Sequence, residues 1–306
     1  MIVIMGDIEE PMIEDTLDEL EERGAPHCYL APDHFPQEAT LSLALSGSDS
    51  GIQWRDGTRV RWSEVRSVYH RLSFDQFRPQ EDQEAYSVEE EAYASNEFMS
   101  LLNPILNTLP ARIVNRPMAS STNASKPFQA NLIQQAGFSI PETLVTNDPE
   151  AAREFYDLHG GQVIYKSISY VRSIVKQMTP EDLGRLDTLR TCPVQLQQMV
   201  PGIDHRVHVM GERVFAHRIQ AEENDYRYDK QAEIVAFELD EETEERCLDL
   251  TQILGMEIAG VDLRISPEGE VFCFEVNPSP AFSWYEARTG QPITAALCDL
   301  LMKEPN

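Results

Sequence analysis

Short apolar runs and amphipathic stretches alternate along the first third of the chain. Ile2–Met5 is uninterrupted apolar, the pattern of a strand buried on both faces. Ile13, Leu17 and Leu20 recur at helical spacing, which predicts a helix over Glu14–Arg23 that Gly24 stops. Cys28–Leu30 reads as a second strand, so the chain opens β-α-β and predicts an α/β first domain. Leu41–Leu45 alternates, and Ile52–Trp62 predicts a hairpin turning at Asp56-Gly57. Val65–His70 reads as another strand, 79–87 as a polar loop and Glu89–Leu102 as a long helix.

From Arg112–Asn115 onward the pattern continues. A helix over Pro127–Gln135 ends at Gly137, and a strand follows at Thr143–Thr146. Asp148 is placed to cap a helix over Pro149–His159. Gln162–Lys166 and Ile174–Met178 predict a strand pair joined by the loop 167–173. Val194–Met199 is a strand, followed by Pro201-Gly202 and a hairpin turning at Gly211-Glu212. A helix over Glu242–Leu254 precedes a second hairpin in GVDLRISPEGEVFCFEVNPSP, turning at Ser266–Gly269.

That last hairpin carries the first chemistry. Side chains alternate along a strand, so Glu275 and Asn277 share a face and Val276 takes the other. Folding the hairpin brings Asp262 near the same spot. Two carboxylates and an amide oxygen make a hard, all-oxygen set suited to Mg²⁺ holding phosphates. Upstream, two of the chain's five lysines stand in telling places: Lys126 before a helical stretch, and Lys166 at the end of an apolar strand.

In this order the motifs resemble the ATP-grasp ligases: lysine, second lysine, strand hinge, D-x-R hairpin, then D…E-x-N. KPFQANLIQQAGFSIPETLVTNDPEAAREF and FEVNPSPAFSWYEARTGQPITAAL resemble the branch of ribosomal-protein glutamate ligases and graspetide (microviridin-type) peptide macrocyclases. The resemblance spans Ile113 to Leu301. It implies an α/β chain (α+β lobes) with the ATP-grasp fold: an N-terminal α/β pre-ATP-grasp domain at 1–116, a central lobe at 117–194 and a C-terminal lobe with the metal site at 195–306.

The roles it implies are specific. Lys126 and Lys166 contact ATP phosphates, Lys166 also lying toward the adenine side. Gln198, Met199 and Val200 form the adenine hinge, and Asp204 is the ribose-binding acid. Arg206 holds the acyl phosphate together with Arg218, although Gln220 could align there instead. Arg227 approaches nucleotide or substrate. Asp262, Glu275 and Asn277 hold Mg²⁺. The loop 167–173 lacks the glycine-rich flap of many ATP-grasp enzymes, so Arg172 and the serine hydroxyls would have to serve there.

Composition narrows the partners. The net charge of −27 argues against nucleic acid and anionic membranes, because phosphate binding needs basic surfaces. An acidic surface for solubility explains this charge, and steering of a basic peptide is the sharper alternative. No run approaches the roughly 18 apolar residues of a membrane span. The N-terminus lacks a signal-peptide pattern, and five cysteines without C-x-x-C spacing read as buried free thiols. A cytoplasmic enzyme is the expectation. His205 and His208 read as strand residues. Phe282, Trp284 and Tyr285 either fill a core or line an acceptor site.

The expected activity is ATP-dependent joining of a carboxylate to an amine or hydroxyl through an acyl phosphate. The expected substrate is a peptide or protein, and a homodimer is left open. The alternatives are a small-metabolite ligase, such as one making dipeptides, and a non-catalytic nucleotide-binding module.

Overall fold

A computed structural model of the chain describes residues 1–31, 39–45, 50–72, 87–168, 175–220 and 233–304. The chain divides into two compact units. The first comprises Met1–Met118, Met256–Ile258 and Ala281–Asn306; the second comprises Ala119–Gly255 and Ala259–Pro280.

The first unit is built on strands β1 (Ile2–Met5), β2 (His27–Leu30), β6 (Ser67–His70) and β7 (Arg112–Val114), all parallel, in the order β2-β1-β6-β7. Helix α1 (Pro11–Glu22) buries Ile13 and Leu20. Between β2 and β6 lies a small antiparallel sheet of β3 (Ala39–Ser42), β4 (Gly51–Trp54) and β5 (Arg59–Arg61), with its turn at the predicted Asp56-Gly57.

Helix α2 (Val88–Thr108) begins with a Ser87 capping box, the side chain accepting from the Glu90 amide. It runs past the expected end at Leu102 and through Pro104. An interior proline costs about 3 kcal/mol. Burial outweighs it: Ile105 and Leu106 extend the stripe of Leu102 into the core, and each is worth about 1.5–3 kcal/mol.

The second unit starts within the single turn α3 (Pro117–Ser120) and continues through α4 (Lys126–Gln135). Strands β8 (Thr143–Thr146), β9 (Val163–Lys166), β10 (Val175–Gln177) and β11 (Val194–Gln198) form an antiparallel sheet ordered β10-β9-β11-β8. Helix α5 (Pro149–Leu158) carries the expected cap, Asp148 accepting from the Glu150 amide at 3.0 Å. Its Ala152 joins Val163, Met178, Leu186 and Leu196 in a small core.

The second sheet of this unit contains β12 (Ile203–Met210), β13 (Arg213–Gln220), β14 (Glu233–Phe237), β15 (Ile258–Ile265) and β16 (Val271–Asn277), in the order β14-β13-β12-β15-β16. Helix α6 (Glu241–Ile253) packs against β12 and β13 and starts at an Asp240 cap. Two terminal helices, α7 (Ser283–Thr289) and α8 (Ile293–Met302), belong to the first unit, where α8 packs against α1.

Phe282 and Tyr285 are buried in that first unit, whereas Trp284 is exposed and lies under the Arg288 guanidinium, 4.0 Å from its ring centre. Cys247, Cys273 and Cys298 are buried free thiols as expected, but Cys192 is exposed. Among the described residues no helix is long and apolar enough to cross a membrane.

Candidate active site

The second unit gathers charged side chains on one face of its five-stranded sheet. On β12, Asp204, Arg206 and His208 alternate with Ile203, His205, Val207 and Val209. On β15 and β16, Asp262 pairs directly with Glu275 and Gly260 with Asn277, so these four share a face.

That pairing depends on an irregularity. Leu263 pairs with Cys273 while Asp262 pairs with Glu275, so β16 contains one extra residue, Phe274. A regular ladder continued from Ile265↔Val271 would have placed Asp262 opposite Phe274 and turned Glu275 to the other face. The bulge re-aims Glu275 onto the side of Asp262.

Each carboxylate already has a cation. Arg206 Nη1 donates to Asp262 Oδ1 at 2.6 Å, with the Arg206 side chain buried. Lys126 Nζ, at the start of α4, lies 3.3 Å from Glu275 Oε2. Gly260 makes room for the arginine: a Cβ there would stand 2.4 Å from Arg206 Nη2. Lys166, at the end of β9, is buried and interacts electrostatically with Lys126, Glu275 and Asp262.

Titration follows from this crowding. Burial opposes ionisation of Glu275, but Lys126, Lys166 and Arg206 outweigh it and hold the carboxyl below its usual range. Burial pushes the Asp262 carboxyl up; Arg206 acts against that and the neighbouring Glu275 charge adds to it. Burial, reinforced by Lys126, depresses Lys166 to about 8, although Glu275 and Asp262 oppose the shift.

A divalent cation fits this set. Two carboxylates compete for ionisation side by side, and Asn277 adds an amide oxygen on the same face. Asn277 Oδ1 accepts from the Ser279 amide at 2.9 Å, which orients that oxygen. No group of three or more His, Cys, Asp or Glu side chains is placed to hold a metal among the described residues. The hard-oxygen trio is thus the candidate, with Lys126, Lys166 and Arg206 available to neutralise phosphate oxygens.

Other predicted residues fall elsewhere. Arg218 pairs with His205, whereas Arg206 pairs with His217. The antiparallel register therefore puts Arg218 on the opposite face, and it does not join the Arg206 cluster. Asp204 is gripped by a fork, Arg264 Nε to Oδ1 at 2.6 Å and Nη2 to Oδ2 at 2.8 Å. The same guanidinium donates to the Val200 carbonyl at 3.0 Å and lies 5.2 Å from the Phe274 ring centre.

At the hinge, the Gln198 amide donates to Glu142 O and the Met199 amide to Gln162 O, both at 2.9 Å. Val200 is buried. Arg227 and Arg172 lie outside the described residues, as do most of the loop 167–173 and the segment 221–232.

Several residues of this face carried no motif in the sequence. His208 and His217 are fully buried, their rings edge to face with centres 5.2 Å apart. Burial holds His217 down to about 4, so it is neutral at ordinary pH. Its Nδ1 donates to the Arg206 carbonyl at 3.1 Å. Gly260 and Arg264 are further residues of this face, and Gln129 supports it from α4. Alternation in IDHRVHVM marked the face, but nothing in one sequence singled out a supporting glycine or glutamine.

Known proteins resemble this chain in sequence and fold. Residues 124–301 match the model of the RimK-like ATP-grasp domain. A protein of Alkalilimnicola ehrlichii named a probable alpha-L-glutamate ligase is 28% identical over 211 residues, 65% of this chain and 69% of that one. The ATP-grasp ligase PsnB, solved in complex with a minimal precursor, is 28% identical and superposes with a TM-score of 0.83 over 98% of this chain and 97% of PsnB. The macrocyclase MdnC of Microcystis aeruginosa MRC, bound to the precursor peptide MdnA, shares the fold: TM-score 0.85 at 22% identity, over 98% of this chain and 99% of MdnC. The matched domain covers more than half of the sequence and contains the whole charged face, so the chain belongs to the RimK-like ATP-grasp family, whose ligases use ATP and Mg²⁺.

Proposed function

We propose that this ligase activates a carboxylate on a peptide or protein and joins it to an amine or hydroxyl. The observation that carries the reading is the convergence of Lys126, Lys166 and Arg206 on the Asp262–Glu275 pair. Similarity to PsnB over nearly the whole of both chains, in a structure with its precursor peptide, supports a peptide substrate. The relatives named as glutamate ligases favour, as a second reading, addition of an amino acid.

In this scheme a carboxylate oxygen of the substrate attacks the γ-phosphorus and ADP leaves. The amine or hydroxyl then attacks the acyl carbon, loses its proton, and releases inorganic phosphate. Bound Mg²⁺ would neutralise phosphate charge as it moves to the leaving oxygen. Asp262, Glu275 and Asn277 would hold it. Lys126 and Lys166 would neutralise phosphate oxygens, and Arg206 the oxygens of the group in transfer. Because the Gln198 and Met199 amides are in use, the hinge would offer adenine the Val200 N–H and its carbonyls. Asp204 would order that hinge through Arg264 and, in addition, approach the ribose. The two sheets of the second unit would be the clamping lobes, dividing after β11, which ends at Gln198, rather than at the expected residue 194.

The products test the route. Short peptides rich in Thr, Asp or Glu, encoded beside the gene, are the first substrates to try. Turnover should release ADP and inorganic phosphate, and each ring bond should remove the mass of one water from the peptide. A gain of one amino-acid residue would favour the addition reading. AMP and pyrophosphate would overturn the acyl-phosphate route.

Lys166 gives a pH signature. With its ammonium depressed to about 8, the free enzyme loses this charge as pH rises through that value. Phosphate binding favours the charged form, so nucleotide affinity should fall above about pH 8 and binding there should take up a proton. Calorimetry in buffers of different ionisation enthalpy reads that uptake. Lys166→Met should flatten the alkaline limb; an unchanged limb would remove Lys166 from the phosphate site. The stability sign is the reverse of the affinity sign. Between about 8 and the ordinary lysine value the unfolded chain binds more protons, so this group's contribution to stability rises with pH there.

A further inference from the structure

The outer edge of β16 is covered by a side chain that the chemistry above does not use. Among the described residues β16 is an edge strand, so there the backbone groups facing away from β15 have no ladder partner within the sheet. At Val276 both are met by one residue. The Gln129 Nε2 donates to the Val276 carbonyl at 2.9 Å, and the Val276 amide donates to Gln129 Oε1 at 2.9 Å. Gln129 is 2% exposed, so this amide pairing is shielded from water.

The geometry ties three residues of the site together. Val276 lies between Glu275 and Asn277, and pinning its peptide groups restricts the backbone rotations that aim both side chains. Gln129 lies three residues after Lys126 on α4, hence on the same helical face. One turn of helix therefore grips β16 twice, through Lys126 on Glu275 and through Gln129 on Val276. The grip comes directly after the bulge at Phe274, where the ladder to β15 is interrupted. On the other side of the bulge, the Cys273 amide donates to the Ser139 carbonyl at 2.9 Å, so the edge is tethered on both sides of the irregular residue.

We infer that Gln129 is a positioning residue that fixes Glu275 and Asn277 relative to Lys126 and thereby sets the affinity of the site for its divalent cation. This rests on the reading of Asp262, Glu275 and Asn277 as metal ligands. Outer-shell partners of metal ligands act in this way: they hold the ligand in place, and their loss typically weakens metal binding about 10–100-fold.

Gln129→Met keeps the length and apolar bulk but removes both hydrogen bonds. Gln129→Glu keeps an acceptor for the Val276 amide and loses the donor to its carbonyl. The readout is equilibrium binding of Mn²⁺ in the presence of ADP, followed by electron paramagnetic resonance without turnover, together with hydrogen exchange at the Val276 amide. Gln129→Met should weaken Mn²⁺ at least about tenfold and speed exchange at Val276, while turnover recovers at high Mg²⁺. Gln129→Glu should fall between it and the wild type. Faster exchange with unchanged Mn²⁺ affinity would show that Gln129 only packs, and would overturn the inference. If the Met variant does not fold, unchanged Mn²⁺ affinity in Gln129→Glu does the same. Glu275→Gln run in parallel separates the failures. If it leaves Mn²⁺ affinity unaltered, the metal reading falls and this inference with it. If it weakens Mn²⁺ while both Gln129 variants do not, only this inference falls.

Discussion

Glu275→Gln should lower Mg²⁺-dependent ATP turnover by more than about a hundredfold. The substitution keeps the shape of the side chain and removes one negative charge from a site proposed to hold a divalent cation between phosphates. A hundredfold corresponds to about 2.7 kcal/mol of barrier, a modest demand on one charged metal ligand. The residue is already ionised in the free protein, because Lys126, Lys166 and Arg206 overcome its burial. The mutation therefore removes a charge the site possesses. The fold should persist: Lys126 would keep a polar partner in the amide of the partly buried side chain, and the strand edge beside it is still held by Gln129. A substrate-stimulated ADP assay over a range of Mg²⁺ concentrations checks this, with the midpoint of thermal unfolding as control. A rate within a few-fold of wild type at all Mg²⁺ concentrations would remove Glu275 from the metal site.

Much of the frame was legible because it rests on local periodicity. The turn at Asp56-Gly57, the Asp148 cap and the turn at Gly211-Glu212 each express a short-range rule, and each stands as expected. The expected trio Asp262, Glu275 and Asn277 does share a face, but for a reason no periodicity shows. Without the extra residue at Phe274, Glu275 would point away from Asp262. Register across a hairpin depends on bulges, and bulges follow from packing at long range. Arg218 shows the converse. A turn at Gly211-Glu212 already sets Met210 opposite Arg213 and hence Arg206 opposite His217, so parity alone separated the two arginines. The resemblance sets Arg218 beside Arg206 at the acyl phosphate, whereas the register turns the two to opposite faces. Helix α2 exceeded its expected length because Ile105 and Leu106 complete a core that becomes visible only in three dimensions. Gly260 and Gln129 were unreadable for a related reason: each serves a neighbour far away in sequence, Arg206 in one case and Val276 in the other.

Gly260→Ala should lower turnover at least about tenfold without removing any charged or polar group, and should do so through Arg206. A methyl group at this position would lie 2.4 Å from Nη2 and 2.8 Å from Cζ of Arg206, and 2.8 Å from Pro280 Cβ. Contacts that short cannot persist. The arginine head is the more compliant partner, so it should swing off Asp262, which it now meets at 2.6 Å. Gly260 is not in the left-handed region, so alanine fits its backbone and the stability loss should be that of local overpacking, about 1–3 kcal/mol. Arg206→Lys is the companion variant. It keeps one charge but cannot reproduce the planar fork needed to span a carboxylate and a phosphoryl oxygen. Removing a preorganised donor of this kind costs about 10²–10³ in kcat. Both variants should bind ATP nearly normally, because Lys126 and Lys166 remain, and both should lose kcat. Adding Gly260→Ala to Arg206→Lys should then cost little more, since both act on one group. Full additivity, or a Gly260→Ala enzyme with the wild-type rate, would separate Arg206 from the chemistry and leave it as a structural partner of Asp262.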